Sequence, residues 1–224
     1  PYVIPMLENA GSIVYTPRER DTQKNEIIVD NDTPNASLYL EVGSKKAHWA
    51  TAPIKGFAQK KAIYRDGENP FTDGTCRFIP TERKKKNKDQ AFAEWVPTLP
   101  AKGEYAVYVS YRTLPNSVND ARYLVFHNGG VTDYGMVVLS NESSEHGVVC
   151  ADAVRFGGGM GNIERGGKTS GLPRYLEGAR YSAQWAGMPY EVYAGRKGEN
   201  DYADDINTRS NTINYLSGGS VYNP

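Results

Sequence analysis

The strongest constraint on the fold is a change of sequence pattern near residue 157. Before this point apolar and polar residues alternate, and the last alternating run ends at Phe156. Eight glycines then lie between positions 157 and 178, and apolar residues afterwards recur every three to four positions. Alternation is typical of strands and the longer spacing is typical of helices. The chain is therefore predicted to change from β structure to α/β structure here.

Short alternating segments separated by turns fill the middle of the chain. The segments span residues 37–42, 105–111, 121–127, 136–140 and 148–156. A turn-rich stretch, Asp30–Asn35, marks their beginning. Many short strands with turns between them predict an antiparallel β-sandwich, jelly-roll-like, over residues 31–157.

Helical spacing marks both ends of the chain. The first helix has an apolar stripe and is stopped by Gly11, after which residues 12–16 are predicted as a short buried strand. The stripe consists of Tyr2, Val3, Met6, Leu7 and Ala10. A helix followed by one strand is half of an αβ unit and does not stand alone.

Two helices are predicted near the other end. The earlier one starts at Pro173 and ends at Gly187, and the later one covers residues 202–216. We expect their inward side chains to be Leu176, Ala179, Ala183 and Ala186, then Ile206, Ile213 and Leu216. The fold prediction is mixed α and β: a sandwich inserted into a partial α/β domain made of residues 1–30 and the glycine-rich connector with its helices, residues 158–224.

The charge balance excludes some classes of partner. Lys plus Arg and Asp plus Glu number 26 each, so no global field attracts nucleic acid. The basic run Arg83–Lys88 is typical of a solvated loop. No apolar run approaches the roughly 18 residues of a membrane span, and no signal-peptide pattern is visible. We expect neither a nucleic-acid partner nor a membrane span.

The two cysteines, Cys76 and Cys150, allow one disulfide or two buried free thiols, and the thiols are favoured. There is no CxxC motif. The three histidines, His48, His127 and His146, lie far apart without metal-ligand spacing. We therefore predict no metal and no cofactor in this chain.

The segment Gly161–Thr169 is a near miss for a phosphate-binding loop. Gly161 lies six positions before Gly167, whereas the motif requires five, and no helix is predicted to open at Lys168. We expect an ordered connector in which Arg165 or Lys168 contacts carbonyls or carboxylates of residues 173–224. No catalytic residue is predicted in the chain.

Aromatic residues are the best candidates for ligand binding. Sugar rings present CH faces that stack on aromatic rings, which points to Trp49, Tyr64 and Trp95. Trp49 lies in a turn-rich stretch and is expected to be exposed, whereas Trp95 alternates with small residues and is favoured as buried. His127 ends a strand before a turn and completes the candidate set.

Several segments together resemble a known family. The segments are residues 103–111, 121–125 and 151–156, with Trp49 and the turn 67–71 upstream. The chain resembles bacterial secreted proteins named xanthan lyase or N-acetylmuramoyl-L-alanine amidase, which carry a golvesin/xanthan-lyase-type carbohydrate-binding-like β-sandwich. The resemblance implies a glycan or peptidoglycan partner and a secreted, periplasmic or cell-surface location. It departs from the family between Tyr134 and Gly135, where family members have a Trp- and Gly-containing strand pair: either that hairpin is absent, or residues are omitted from the sequence as given.

The flanks resemble pieces of a zinc-dependent amidase. Arg18 and Asp21 match a Thr-Arg-x-x-Asp strand end, and Asp205, Arg209 and Asn214 match a later helix. The metal ligands of such amidases lie on segments before and after these, so zinc is expected in a full-length parent.

The predicted function is therefore a carbohydrate-binding-like module with a flanking part of a bacterial cell-wall or polysaccharide-degrading hydrolase, catalytically incomplete as given. The alternative is an active enzyme, either a zinc-dependent N-acetylmuramoyl-L-alanine amidase or a xanthan-lyase-type polysaccharide lyase.

Overall fold

The computed structural model describes residues 3–12, 14, 21–32, 38–83, 90–127 and 135–219. The chain divides into two compact units. The helical unit comprises Pro1–Arg20, Ile63–Glu68 and Gly161–Pro224, and the β unit comprises Asp21–Ala62 and Asn69–Met160. The structure is mixed α and β with antiparallel sheets, as predicted.

The described residues form ten strands, four α-helices and two short 3-10 turns. The strands are β1 (Ile27–Asp30), β2 (Leu38–Val42), β3 (Ala50–Gly56), β4 (Gly74–Pro80), β5 (Phe92–Val96), β6 (Val107–Val109), β7 (Arg122–Phe126), β8 (Met136–Ser140), β9 (Val148–Ala151) and β10 (Ala153–Phe156). The helices are α1 (Val3–Asn9), α2 (Ala179–Trp185), α3 (Tyr190–Tyr193) and α4 (Asp201–Leu216), and the 3-10 turns are Pro70–Thr72 and Arg174–Leu176.

The strands of the β unit pair in three antiparallel sheets, ordered β1-β10-β6, β2-β5-β8-β7 and β3-β4-β9. Two segments differ from the predicted division of the chain. Ile27–Asp30, which the sequence places in the first α/β piece, pairs with β10. Ile63–Glu68, which the sequence places in the β region, belongs to the helical unit.

A single residue interrupts the strand predicted over residues 148–156. Asp152 separates β9 from β10, which belong to different sheets. Its buried carboxylate accepts the backbone N–H of Phe57 at 3.0 and 3.1 Å and the Ser110 hydroxyl at 2.6 Å. Its carbonyl accepts Nε1 of Trp95 at 3.0 Å. Phe57 follows β3, Ser110 follows β6 and Trp95 lies in β5, so Asp152 connects all three sheets.

The largest core of the β unit collects side chains from all three sheets. Trp95 is fully buried at its centre, with Tyr39 and Tyr123 packed beside the ring at centroid distances of 5.6 and 6.4 Å. The other buried members are Val29, Ala47, Trp49, Ile79, Ala91, Ala93, Val137, Leu139, Val149, Ala151, Val154 and Phe156. Cys76 and Cys150 are buried and free, which confirms the favoured prediction.

Helix α4 buries a polar face rather than its apolar residues. Its buried residues are Asp204, Thr208 and Thr212, four positions apart. Ile206, Ile213 and Leu216 expose 47%, 61% and 37% of their surface, so the prediction that they face inward is wrong. Small threonine side chains let α4 approach α2 closely, and the Thr208 hydroxyl donates to the Asp204 carbonyl at 2.7 Å.

The apolar stripes of the other helices are buried only in part. Ala179 and Ala183 of α2 are buried as predicted, whereas Leu176 is exposed. Helix α1 stops before Gly11, which has φ +86° as a helix-ending glycine requires. None of the described residues of α1 is buried, and Met6 is 70% exposed. Most of the strand predicted over residues 12–16 lies outside the described residues.

None of the helices in the described ranges is both long enough and apolar enough to cross a membrane.

Burial raises the pKa of Asp152 from 3.8 to about 6. The native state then binds a proton more tightly than the unfolded chain, so the free energy of unfolding falls as pH rises from about 4 to 6. Asp152→Asn keeps an acceptor for the Phe57 N–H but does not titrate. We therefore expect its free energy of unfolding to fall by about 2 kcal/mol less than that of the unchanged protein over this pH range. Asp152→Ala should cost about 2–4 kcal/mol because the Phe57 N–H loses its partner. Urea unfolding between pH 4.5 and 7.5 measures both effects. If the free energy of unfolding of Asp152→Asn changed with pH as it does in the unchanged protein, the raised pKa of Asp152 would be contradicted.

Candidate functional site

An open pocket of about 790 Å³ lies beside β7 and β8 in the β unit. Most of the residues that line it carry polar side chains: carboxylates, hydroxyls, guanidinium groups and one tyrosine. The residues are Arg83, Asp120, Ala121, Arg122, Tyr123, Glu142, Ser143 and Ser144. Three of them, Glu142, Ser143 and Ser144, come from the loop between β8 and β9.

This loop is fixed by a fully buried asparagine. The Asn141 side-chain oxygen accepts the Ala91 N–H at 3.0 Å, and its amide nitrogen donates to the Pro80 carbonyl at 3.2 Å. The Asn141 backbone N–H donates to the Ala91 carbonyl at 3.1 Å. The loop that carries the pocket residues is therefore held on the ends of two strands, β4 and β5.

Asp120 is held by the same loop. Its carboxylate accepts the Ser143 hydroxyl, and also the Ser144 N–H at 2.8 Å and the Ser144 hydroxyl at 2.6 Å. These hydrogen bonds hold the pKa of Asp120 at about 2. The group is therefore an ionised acceptor at neutral pH and has no proton to donate as a general acid.

A second carboxylate lies beside an exposed guanidinium. Glu142 accepts Nε2 of Gln90 at 2.9 Å and lies 3.6 Å from Nη1 of Arg122, whose side chain is 51% exposed. Each carboxylate oxygen can accept more than one hydrogen bond, and a guanidinium carries five N–H donors. The pocket thus combines fixed acceptors with a donor group that faces solvent.

The predicted aromatic ligand residues lie in cores. Trp49 is only 9% exposed and Trp95 is fully buried, and both belong to the main core of the β unit. The Trp49 indole N–H lies 3.3 and 3.2 Å from the carbonyls of Val42 and Phe92. The expectation that Trp49 is exposed is wrong, because the indole N–H finds backbone acceptors at the sheet edge. Neither ring offers a face to a sugar.

Tyr64 and His127 do not join these tryptophans. Tyr64 is 1% exposed within the helical unit, where its ring lies 5.7 Å from that of Trp185. His127 is exposed directly after β7. The four predicted ligand residues therefore form no common site.

Two of the amidase-like matches are neighbours on α4. Asp205 accepts the Arg180 N–H at 3.0 Å at the start of α2, and Nη2 of Arg209 lies 3.0 Å from the Asp205 carboxylate. Asn214 is half-buried two turns further along. Asp21 belongs to the β unit, where it accepts the N–H groups of Gln23 and Ala106 at 2.8 and 3.2 Å, and Arg18 lies outside the described residues.

The described parts of the chain contain no group of three or more His, Cys, Asp or Glu side chains that could hold a metal ion.

A charged cluster joins the helices of the helical unit. Arg180, only 1% exposed, donates to the Tyr193 carbonyl at 2.8 Å and to Asp66 at 3.0 Å, and it pairs with Asp201. Arg165 also pairs with Asp66, lies 3.7 Å from Asp201 and donates to Gln184. This confirms the prediction that the glycine-rich connector contacts residues 173–224.

The glycines after Arg165 form a turn. Gly166 and Gly167 have φ +57° and +83°, and the Arg165 N–H donates to the Lys168 carbonyl at 3.0 Å. This is the geometry of a two-residue turn with both central residues at positive φ. No helix begins at Lys168, as predicted, and the next α-helix starts at Ala179.

The charged cluster predicts that substituting Arg180 lowers the free energy of unfolding far more than substituting Arg209. Arg180→Met removes the cation that lies 3.7 Å from the buried Asp204 carboxylate and leaves Asp66 and Asp201 with Arg165 alone, which should cost about 3–5 kcal/mol. Arg209→Met removes an exposed pair within α4 and should cost less than about 1 kcal/mol. Chemical unfolding followed by tryptophan fluorescence measures both losses, and equal small losses would contradict a stabilising role for Arg180.

Sequence reasoning missed the pocket residues. The available signal was the polar run Asn141–His146 between two strands of buried residues, which is longer than a tight hairpin needs.

No protein-family model, no curated protein and no solved structure matches this chain.

Proposed function

We propose that this chain is a carbohydrate-binding module with a flanking part of a bacterial cell-wall or polysaccharide-degrading hydrolase. In this proposal the glycan binds in the open pocket beside β7 and β8. The observation that carries it is the convergence of two fixed carboxylates, Asp120 and Glu142, with the solvent-facing Arg122.

These groups match the chemistry of a sugar. Hydroxyl groups donate to carboxylates and accept from guanidinium groups, so Asp120, Glu142 and Arg122 supply both kinds of partner. Hydrogen bonds to charged groups are among the strong ones in proteins. The loop is already ordered by Asn141, so binding loses little entropy in arranging it.

The proposed architecture extends the observed sheets. The three antiparallel sheets would form a sandwich inserted into an amidase-like α/β domain, and the protein would act outside the cytoplasm, as the resemblance implies. Binding is favoured over catalysis because Asp120 has no proton to donate at neutral pH, and the hydrogen bonds that hold its pKa at about 2 also make it a weak base. The alternative of an active zinc amidase or xanthan-lyase-type enzyme stays a prediction.

Titration calorimetry with muropeptides and xanthan oligosaccharides tests the proposal. Arg122→Gln and Glu142→Gln should each weaken binding about tenfold or more, because each removes a charged hydrogen-bond partner. Arg209→Gln is the matched control, since its side chain is 49% exposed and also pairs with a carboxylate. It should bind like the unchanged protein.

Two outcomes would contradict the proposal. One is binding of neither glycan by the unchanged protein. The other is equal weakening by Arg209→Gln and Arg122→Gln. Turnover of muropeptides or xanthan by the unchanged protein would favour the enzymatic alternative instead.

A further inference from the structure

Two buried thiols share one face of the sheet formed by β3, β4 and β9. Phe78 of β4 is opposite Cys150 of β9, and Arg77 is opposite Ala151. Cys76 lies two residues before Phe78, and side chains two apart in a strand point to the same side. Cys76 and Cys150 are therefore diagonal neighbours on neighbouring strands.

The thiols lie in one small apolar cluster. The Cys76 thiol lies 3.4 Å from the carbonyl of Ala151, the residue that follows Cys150. Both cysteines pack with Ala52, Leu114 and Val148. Neither thiol has a role in the pocket, and the two differ in access: Cys76 is fully buried, whereas Cys150 is 6% exposed.

We propose that Cys76 and Cys150 react with low-molecular-weight disulfides by thiol–disulfide exchange and thereby form a reversible intramolecular disulfide. The order of events follows from access. Cys150 reacts first because it is the less deeply buried member of the pair, and Cys76, its diagonal neighbour in the same apolar cluster, resolves the intermediate.

The hydrogen bonds of the site support this order. Cys150 accepts hydrogen bonds from Cys76 and Ser117, which lower the pKa of its thiol. The same contact raises the pKa of Cys76, together with burial. Once Cys150 has formed a mixed disulfide its negative charge is gone, and this cause of the raised Cys76 pKa is removed.

The exchange balances in two steps. The Cys150 thiolate attacks one sulfur of the small disulfide RSSR, forms a Cys150–S–SR bond and releases RS⁻. Cys76 then loses its proton to RS⁻ or water, and its thiolate attacks the Cys150 sulfur and releases the second RS⁻. The two cysteines lose two electrons and two protons in total, and RSSR is reduced to two RSH.

The position of the pair explains why the bond is reversible. Diagonal neighbours in a regular sheet have Cα atoms about 7–8 Å apart, whereas disulfides usually require less than about 7 Å. Closure therefore requires a small shift of β9 against β4, beside the break in the strand at Asp152. A bond formed with such a shift is strained, and strained disulfides are reduced more easily.

The test treats the reduced, folded protein with 2-hydroxyethyl disulfide and measures intact mass and thiol content after acid quenching. We expect the loss of two hydrogen masses, no thiol available for alkylation after denaturation, and full reversal by dithiothreitol. Cys76→Ser should stop at one mixed disulfide on Cys150. Cys150→Ser should leave the fully buried Cys76 unmodified.

Three results would overturn the proposal: both thiols still alkylated after treatment, two mixed disulfides on one chain, or disulfide-linked dimers. Circular dichroism of the serine variants verifies that they are folded. The result does not depend on glycan binding, because neither cysteine lines the pocket.

Discussion

The β unit depends on one buried carboxylate. Asp152 lies where the chain leaves one sheet and enters another, and its polar groups bind residues next to β3, β5 and β6. A buried ionised group without partners would be very costly, so these three hydrogen-bonding residues must be in place for the sheets to meet. Gly56 is required beside it, because a Cβ at that position would lie 2.8 Å from the Asp152 carboxylate and 2.3 Å from the Thr75 carbonyl.

The candidate pocket is a consequence of this arrangement. Strand β9 carries the chain from the β8–β9 loop to Asp152, and β4 and β5 provide the two backbone segments that Asn141 binds. The loop is therefore fixed at its start by Asn141 and followed by a strand that ends at Asp152. Ser143 and Ser144 then position Asp120, so one carboxylate of the pocket is held by two other residues of its lining.

The sequence predicts β2, β6, β7 and β8, together with one continuous strand where the structure has β9 and β10. It does not predict β1, β3, β4 or β5 as strands. It also could not predict the break at Asp152, because only the paired structure shows that the two halves of residues 148–156 belong to different sheets. The prediction of the inward face of α4 was wrong because hydrophobicity cannot identify a buried face built from Asp204, Thr208 and Thr212. The pocket was not predicted for a related reason, because most of its residues are polar. The ligand site was predicted at aromatic residues instead, although Trp49 and Trp95 are buried in the core.

Hydrogen exchange with a saturating muropeptide is the most direct test of the central claim, that a rigid loop of the β unit holds a glycan. We expect added protection of backbone N–H groups in residues 119–123 and 141–145, with little change in β9 and β10, whose backbone groups are paired with neighbouring strands. Protection centred on Trp49 or His127, or no change anywhere at saturation, would contradict it.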